Sequence, residues 1–130
     1  MRKIGKVDIV GTPYTIYLYE EGEFKALQDD AKERDERYLQ PAKEGALDGY
    51  CDYMSKEIRI YNDSFTDIKY FEMTLRHEIS HAFLYEIGNS NYDNEEFVDK
   101  LSKWVPQIAY IFQRAEACLR IKKALGDVDA

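Results

Sequence analysis

The chain holds two histidines, four residues apart, with a glutamate directly after the first: His77-Glu78-Ile79-Ser80-His81. On an α-helix, residues i and i+4 lie one above the other on the same face, so both imidazoles can grip a single ion from one side. Glu78 projects ~100° round the helix from His77, beside such an ion rather than onto it. From there a carboxylate can take a proton from a water that the ion polarises and pass it to a leaving amine. Chance places this HExxH pattern in roughly one chain in 700 of this composition. A buried helix also gains nothing from two imidazoles and a carboxylate unless each finds a partner, because burying an unpaired polar group is costly.

Catalytic zinc commonly takes three protein ligands and keeps one position open. No third histidine exists, and an extended HExxHxxGxxH pattern is ruled out by Leu84 and Ile87. The third ligand is therefore expected to be a carboxylate, and Asn94-Glu95-Glu96-Phe97-Val98-Asp99 is the best source. Glu95 and Asp99 share a helix face opposite Phe97, Leu101 and Trp104. If that apolar side packs outward onto a final helix, Glu95 turns back to the histidines. Glu96 is the rival ligand, since sequence does not fix helix register to one residue. Asp99, one turn on, could accept the free N–H of a ligating histidine and hold its tautomer. Zinc is the expected ion, although a His/His/Glu set accepts several divalent metals.

These residues need elements to hold them. The first 21 residues read as two strands, with Val7, Ile9, Tyr14, Ile16 and Leu18 alternating and Gly11-Thr12-Pro13 turning the chain. A heavily charged amphipathic helix is expected over about 23–38, either a solvated outer helix or a lid over a site. Pro41 and Gly45 loosen the chain. Gly49–Tyr53 and Glu57–Tyr61 then flank Met54-Ser55-Lys56, which suits a hairpin. Ser64 and Asp67 have capping-box spacing ahead of a helix from about Thr66 to Tyr85 or Ile87. Its apolar residues nearly surround it, so it is expected to be central and mostly buried. Gly88-Asn89-Ser90-Asn91 stops it. A short helix is expected over 93–105, broken by Pro106, and a last one over about 107–124 with a frayed tail after Gly126. The expected fold is α+β: a small, mostly antiparallel twisted sheet packed on the central HExxH helix, with further helices C-terminal to it.

The 130 residues, 45% hydrophobic and 33% charged, fit one domain over 1–130. A net charge of −7 with no basic stripe argues against nucleic acid as a partner. No run approaches the ~18 apolar residues of a membrane span, and no apolar segment follows Met1-Arg2-Lys3, so no membrane partner and no secretory signal are expected. Cys51 and Cys118 read as two reduced thiols buried in the core of a cytoplasmic protein. Arg76 is expected to pair with Glu72 one turn earlier. Oligomeric state is not legible in these patterns.

At this point the chain resembles the zincin metallopeptidases, in particular the gluzincin branch with its HExxH helix and downstream NExxxD helix. His77, Glu78 and His81 match the first motif; Asn94, Glu95 and Asp99 match the second. The resemblance implies zinc held by His77, His81 and Glu95, Glu78 as general base, and Asp99 supporting His77. It implies an edge strand at Gly49–Tyr53 that binds a peptide or protein substrate in extended form, making Tyr50, Cys51 and Asp52 substrate-binding residues, with Glu57–Tyr61 as the inner neighbour. The match covers roughly 49–105 and looks like the compact HExxH domains of bacteria and their phages. It is distantly similar to metallopeptidase-like proteins of mobile elements that act on repressors. The linker between the motifs is shorter than in large members. No further histidine exists to stabilise an oxyanion, which leaves Tyr50, Tyr53, Tyr85, Tyr92 or an arginine.

Three functional readings follow. The first is a zinc-dependent endopeptidase that captures its substrate by strand addition. The second is a binding protein that keeps the zincin frame and a vestigial metal site without useful proteolysis. The third is a structural zinc site with Cys51 or Cys118 as fourth ligand.

Overall fold

Apolar–polar alternation at the N-terminus produces a hairpin in the computed structural model of the chain. Strand β1 (Arg2–Ile9) pairs antiparallel with β2 (Thr12–Tyr19). The structure describes residues 1–34, 48–62 and 68–119, with side chains as far as 115. The chain reverses at Val10 and Gly11, both at positive φ (51° and 87°), the backbone that matches the twist of a two-residue hairpin. The turn thus lies ahead of the expected Gly11-Thr12-Pro13, and Pro13 sits inside β2 opposite Asp8. Pro13 is tolerated there because β2 meets its second neighbour only from Thr15 onward.

Helix α1 (Phe24–Lys32) follows, then β3 (Gly49–Asp52) and β4 (Glu57–Tyr61). Residues 35–38 of the expected first helix, Pro41 and Gly45 lie outside the described residues. The β3–β4 turn is tied by Asp52, whose Oδ1 accepts hydrogen bonds from the backbone N–H groups of Met54 and Ser55 at 3.1 Å each. The sheet order is β1-β2-β4-β3. Two of its three pairings are antiparallel, but the central β2–β4 pair is parallel, so the sheet is mixed. The parallel pair arises because the chain leaves β2 through α1 and re-enters by a hairpin whose second strand takes the central place. β3 is an outer strand with β4 inside it, the placement expected for 49–53 and 57–61.

Strand parity divides the sheet into two faces. Ile9, Tyr14, Ile16, Cys51, Ile58 and Ile60 pack with Tyr53 just beyond β3 against α2 (Ile68–Glu86) through Phe71, Leu75, Ile79, Ala82 and Tyr85. On the other face, Tyr19 and Tyr50 close on Leu27 of α1, which is fully buried. Ions bind this second face together: Arg34 reaches Asp52 at 2.9 Å and Glu57 at 3.1 Å, and Arg59 donates to the Tyr19 hydroxyl at 2.6 Å. The described part of α1 therefore lies across the sheet from α2 and covers nothing near the histidines.

Two expectations about the helices are corrected. α2 is not buried nearly all round: Glu78, His81, Ala82 and Leu84 are buried, but Ile68, Met73 and Phe83 are exposed. Among the described residues the sheet and α3 pack on it, and part of its apolar circumference meets neither. The pair of helices expected around Pro106 is one continuous helix, α3 (Glu95–Leu119), with the proline inside it. Proline forfeits the backbone bond to the Ser102 carbonyl and crowds the preceding turn, yet the helix runs through it, and the Gln107 side-chain amide donates to the neighbouring Lys103 carbonyl at 3.2 Å. The expected Ser64–Asp67 cap and the tail after Gly126 lie outside the described residues. No described helix is long and apolar enough to cross a membrane.

Candidate metal centre

α2 ends where Gly88, at φ 73°, lets the chain turn and Asn89 N–H bonds back to the Leu84 carbonyl at 2.9 Å. A knot of turns follows, in which Asn89 Oδ1 accepts from Asn91 N–H at 2.8 Å and Asn94 N–H bonds to the Asn91 carbonyl at 3.0 Å. Asn94 then caps α3, its side-chain oxygen accepting from Phe97 N–H at 3.0 Å. The cap sets Glu95 at the first helical position, facing the α2 histidines.

Three side chains converge there. His77 Nε2 is 2.9 Å from Glu95 Oε2, His81 Nε2 is 2.9 Å from Glu95 Oε1, and the two Nε2 atoms are 3.2 Å apart. This is the one group among the described residues whose ligand atoms could hold a metal ion. Glu96, the rival, points away: its side chain is 81% exposed and pairs with Lys100. Asp99 stands near His77, with Oδ1 at 3.8 Å from Nδ1, beyond hydrogen-bond reach, while its other oxygen binds Lys103 at 2.9 Å.

The tautomer of His81 follows from its surroundings. Its Nδ1 lies 2.6 Å from the Tyr92 carbonyl oxygen, which can only accept, so the proton belongs on Nδ1. The Tyr53 hydroxyl approaches the same nitrogen at 3.2 Å and donates to the same carbonyl at 3.3 Å. In neutral His81 the Nε2 lone pair then points at His77 and Glu95. Glu95 Oε1 is buried, and its close contact with His81 lies off the line an N–H bond needs, so it has no in-line hydrogen-bond partner. Lone pairs crowded this closely require a proton or a cation between them. Tetrahedral zinc at ~2.0–2.1 Å from each nitrogen would set its donors about 3.3 Å apart, so the cluster needs to open by only a few tenths of an ångström. The residues present fit a metal.

The electrostatics of the cluster favour positive charge at this point. Burial alone would lower the pKa of His81, but the adjoining Glu95 carboxylate and the charge of Glu78 outweigh it and raise the value. Burial alone would raise Glu95, but the two histidines hold its carboxyl down at about 2. Glu78 is buried beside this group, close enough for its charge to be felt at Cys51, Tyr53 and His81. Access comes from the other side, where the His77 side chain is 20% and the Glu95 side chain 29% exposed against 0% for His81.

The remaining candidates fall elsewhere. Tyr50 and Asp52 face α1 across the sheet from the histidines, and Cys51 is buried in the core beneath α2. All three side chains are buried, so this strand could offer a substrate its main chain and not these side chains. Tyr53 is stacked on Tyr85 with ring centres 4.6 Å apart and meets Tyr92 edge-on at 5.3 Å, its hydroxyl held behind His81. Cys51 is not among the converging ligands, and the Cys118 side chain lies outside those described. Arg76 lies 3.7 Å from Glu72, the expected i,i+4 pair. Sequence reasoning did not find the Tyr92 carbonyl, because a backbone group has no residue signature. No protein-family model matches the chain, and no curated protein or solved structure is significantly similar to it.

Proposed function

We propose that this chain is a zinc-dependent peptidase of zincin-like design, with His77, His81 and Glu95 as metal ligands and Glu78 as general base. The observation that carries the reading is the convergence of three ligand atoms from two helices beside a buried glutamate. Bound zinc would supply Lewis acidity, polarising a carbonyl and bringing the pKa of water towards ~7. The chain's own residues do the rest. The Tyr92 carbonyl and Tyr53 hydroxyl hold His81 with its Nε2 lone pair forward. The Asn94 cap aims Glu95. Glu78 holds a carboxylate next to the ligand pair, placed to accept a proton and return it to a leaving amine. β3, outermost in the sheet and packed against α2, is the strand along which an extended peptide would lie.

A second reading is a zincin-like binding protein with a vestigial metal. The burial of Glu78 at 2% exposure favours it, because a general base must reach its water. Digestion of a broad peptide library by zinc-loaded protein, read by mass spectrometry, separates the two. Cleavage that vanishes in Glu78→Gln while zinc stays bound is the expected result. No cleavage by zinc-loaded wild type would reject the peptidase and leave the binding protein.

A further inference from the structure

The longest helix of the fold leaves its apolar side in water. Phe97, Trp104, Val105, Ile108, Ile111 and Phe112 of α3 are between 39% and 64% exposed. Only the first turns of the helix are in use: Glu95 meets the histidines, Val98 and Ser102 are buried, and from 103 to 114 every side chain but that of Pro106 is exposed. The unused side is ordered in a particular way. Leu101, Trp104, Val105, Ile108, Ile111, Phe112 and Ala115 recur at the 3–4 spacing of a helix that packs along another helix. Counting outward from Ile108, the positions three, four and seven residues away are apolar in both directions: Val105 and Ile111, Trp104 and Phe112, Leu101 and Ala115. A stripe symmetric about its own centre is complementary to itself when turned end for end.

We propose that two copies of this chain associate through α3, the helices antiparallel and crossing at Ile108, with Trp104 of one copy against Phe112 of the other. Size supports this occupant. With ~150–200 Å² per large apolar side chain, about half of it exposed, the six residues present on the order of 500 Å². A standard interface takes ~800 Å² per partner, a little over half of it apolar, so the stripe supplies the apolar part of one such patch. Charge supports it too. Residues 104–113 contain no Asp, Glu, Lys or Arg in a chain that is 33% charged. Two copies, each carrying −7, can therefore meet along this stretch without placing like charges face to face. The same net charge disfavours an anionic lipid surface as the occupant. The association is independent of the metal reading.

The test uses the full chain. Sedimentation equilibrium from about 1 to about 100 µM is expected to give twice the 15.3 kDa chain mass. Ile108→Glu sets two carboxylates against each other at the crossing point and is expected to weaken association at least about a hundredfold, with helicity by circular dichroism unchanged. Ile108→Cys in a Cys118→Ser background keeps the test sharp if the glutamate variant misfolds. On oxidation it is expected to yield a disulfide-linked dimer, whereas Lys103→Cys in the same background is not. A monomer throughout the concentration range overturns the proposal. So does a dimer that survives Ile108→Glu and forms no cross-link at 108. A monomer that instead sediments with phosphatidylglycerol vesicles also overturns it and assigns the stripe to a membrane surface.

Discussion

Replacing Glu95 with glutamine removes a charge that stabilises the metal-free protein only within a defined pH window. Folding lowers the Glu95 carboxyl from 4.5 to about 2, because His77 and His81 hold its ionised form. One pKa unit corresponds to about 1.4 kcal/mol, so with some loss to solvent at a side chain 29% exposed the carboxylate contributes on the order of 2–3 kcal/mol. The sign is set by both partners. A depressed carboxyl gives stability that is present above its unfolded value and lost as pH falls from 4.5 through about 2. His81, raised above 6.5, gives stability that is present below 6.5 and lost as pH rises through its folded value. Metal-free wild type should therefore exceed Glu95→Gln by the full amount between about pH 4.5 and 6.5 and by less on either side. On the proposed reading zinc would take the place of a proton shared by this cluster, so in excess zinc the difference should persist on the alkaline side. The assay is urea unfolding followed by circular dichroism, in chelator and in zinc, across this range. A wild-type-minus-variant difference that is flat with pH, or identical in chelator and zinc, refutes the reasoning.

Three further outcomes are expected. Tyr53→Phe keeps the stacked ring but loses the hydroxyl behind His81, so zinc affinity by competitive titration should fall about tenfold with the melting temperature nearly unchanged. Leu27→Ala opens a cavity under α1 and should cost about 2–5 kcal/mol in urea unfolding, yet leave zinc affinity alone because the site lies across the sheet. Asn94→Ala removes the cap of α3 and should cost about 1 kcal/mol while also weakening zinc binding, since the cap aims Glu95.

Local patterns made much of this arrangement readable. Two histidines four apart on a helix share a face by geometry alone, and Glu95 faced them because its helix keeps Phe97 and Trp104 on the other side. The 57–61 strand showed in its alternation, and its partner in the hairpin. What stayed hidden depends on contacts distant in sequence. The parallel pairing of β2 with β4 is a matter of how α1 carries the chain across, which no alternation records. Pro106 signals a break because it lacks an N–H, but the loss is a single backbone bond and the helix runs on. The exposed flank of α2 looked buried because periodicity reports which side is apolar, not whether a layer exists to cover it. Tyr50, Cys51 and Asp52 were assigned by resemblance to a substrate strand; their burial follows from strand parity and from Arg34, whose approach to Asp52 no local pattern foretells.

The central claim is that one divalent ion sits among His77, His81 and Glu95. X-ray absorption at the zinc edge, on protein carrying one zinc per chain, tests it most directly. The account predicts two imidazole nitrogens and a carboxylate oxygen at about 2.0–2.2 Å and no sulfur, with the signal lost in His77→Ala. A sulfur ligand at about 2.3 Å, or full zinc occupancy retained in His77→Ala, would contradict it.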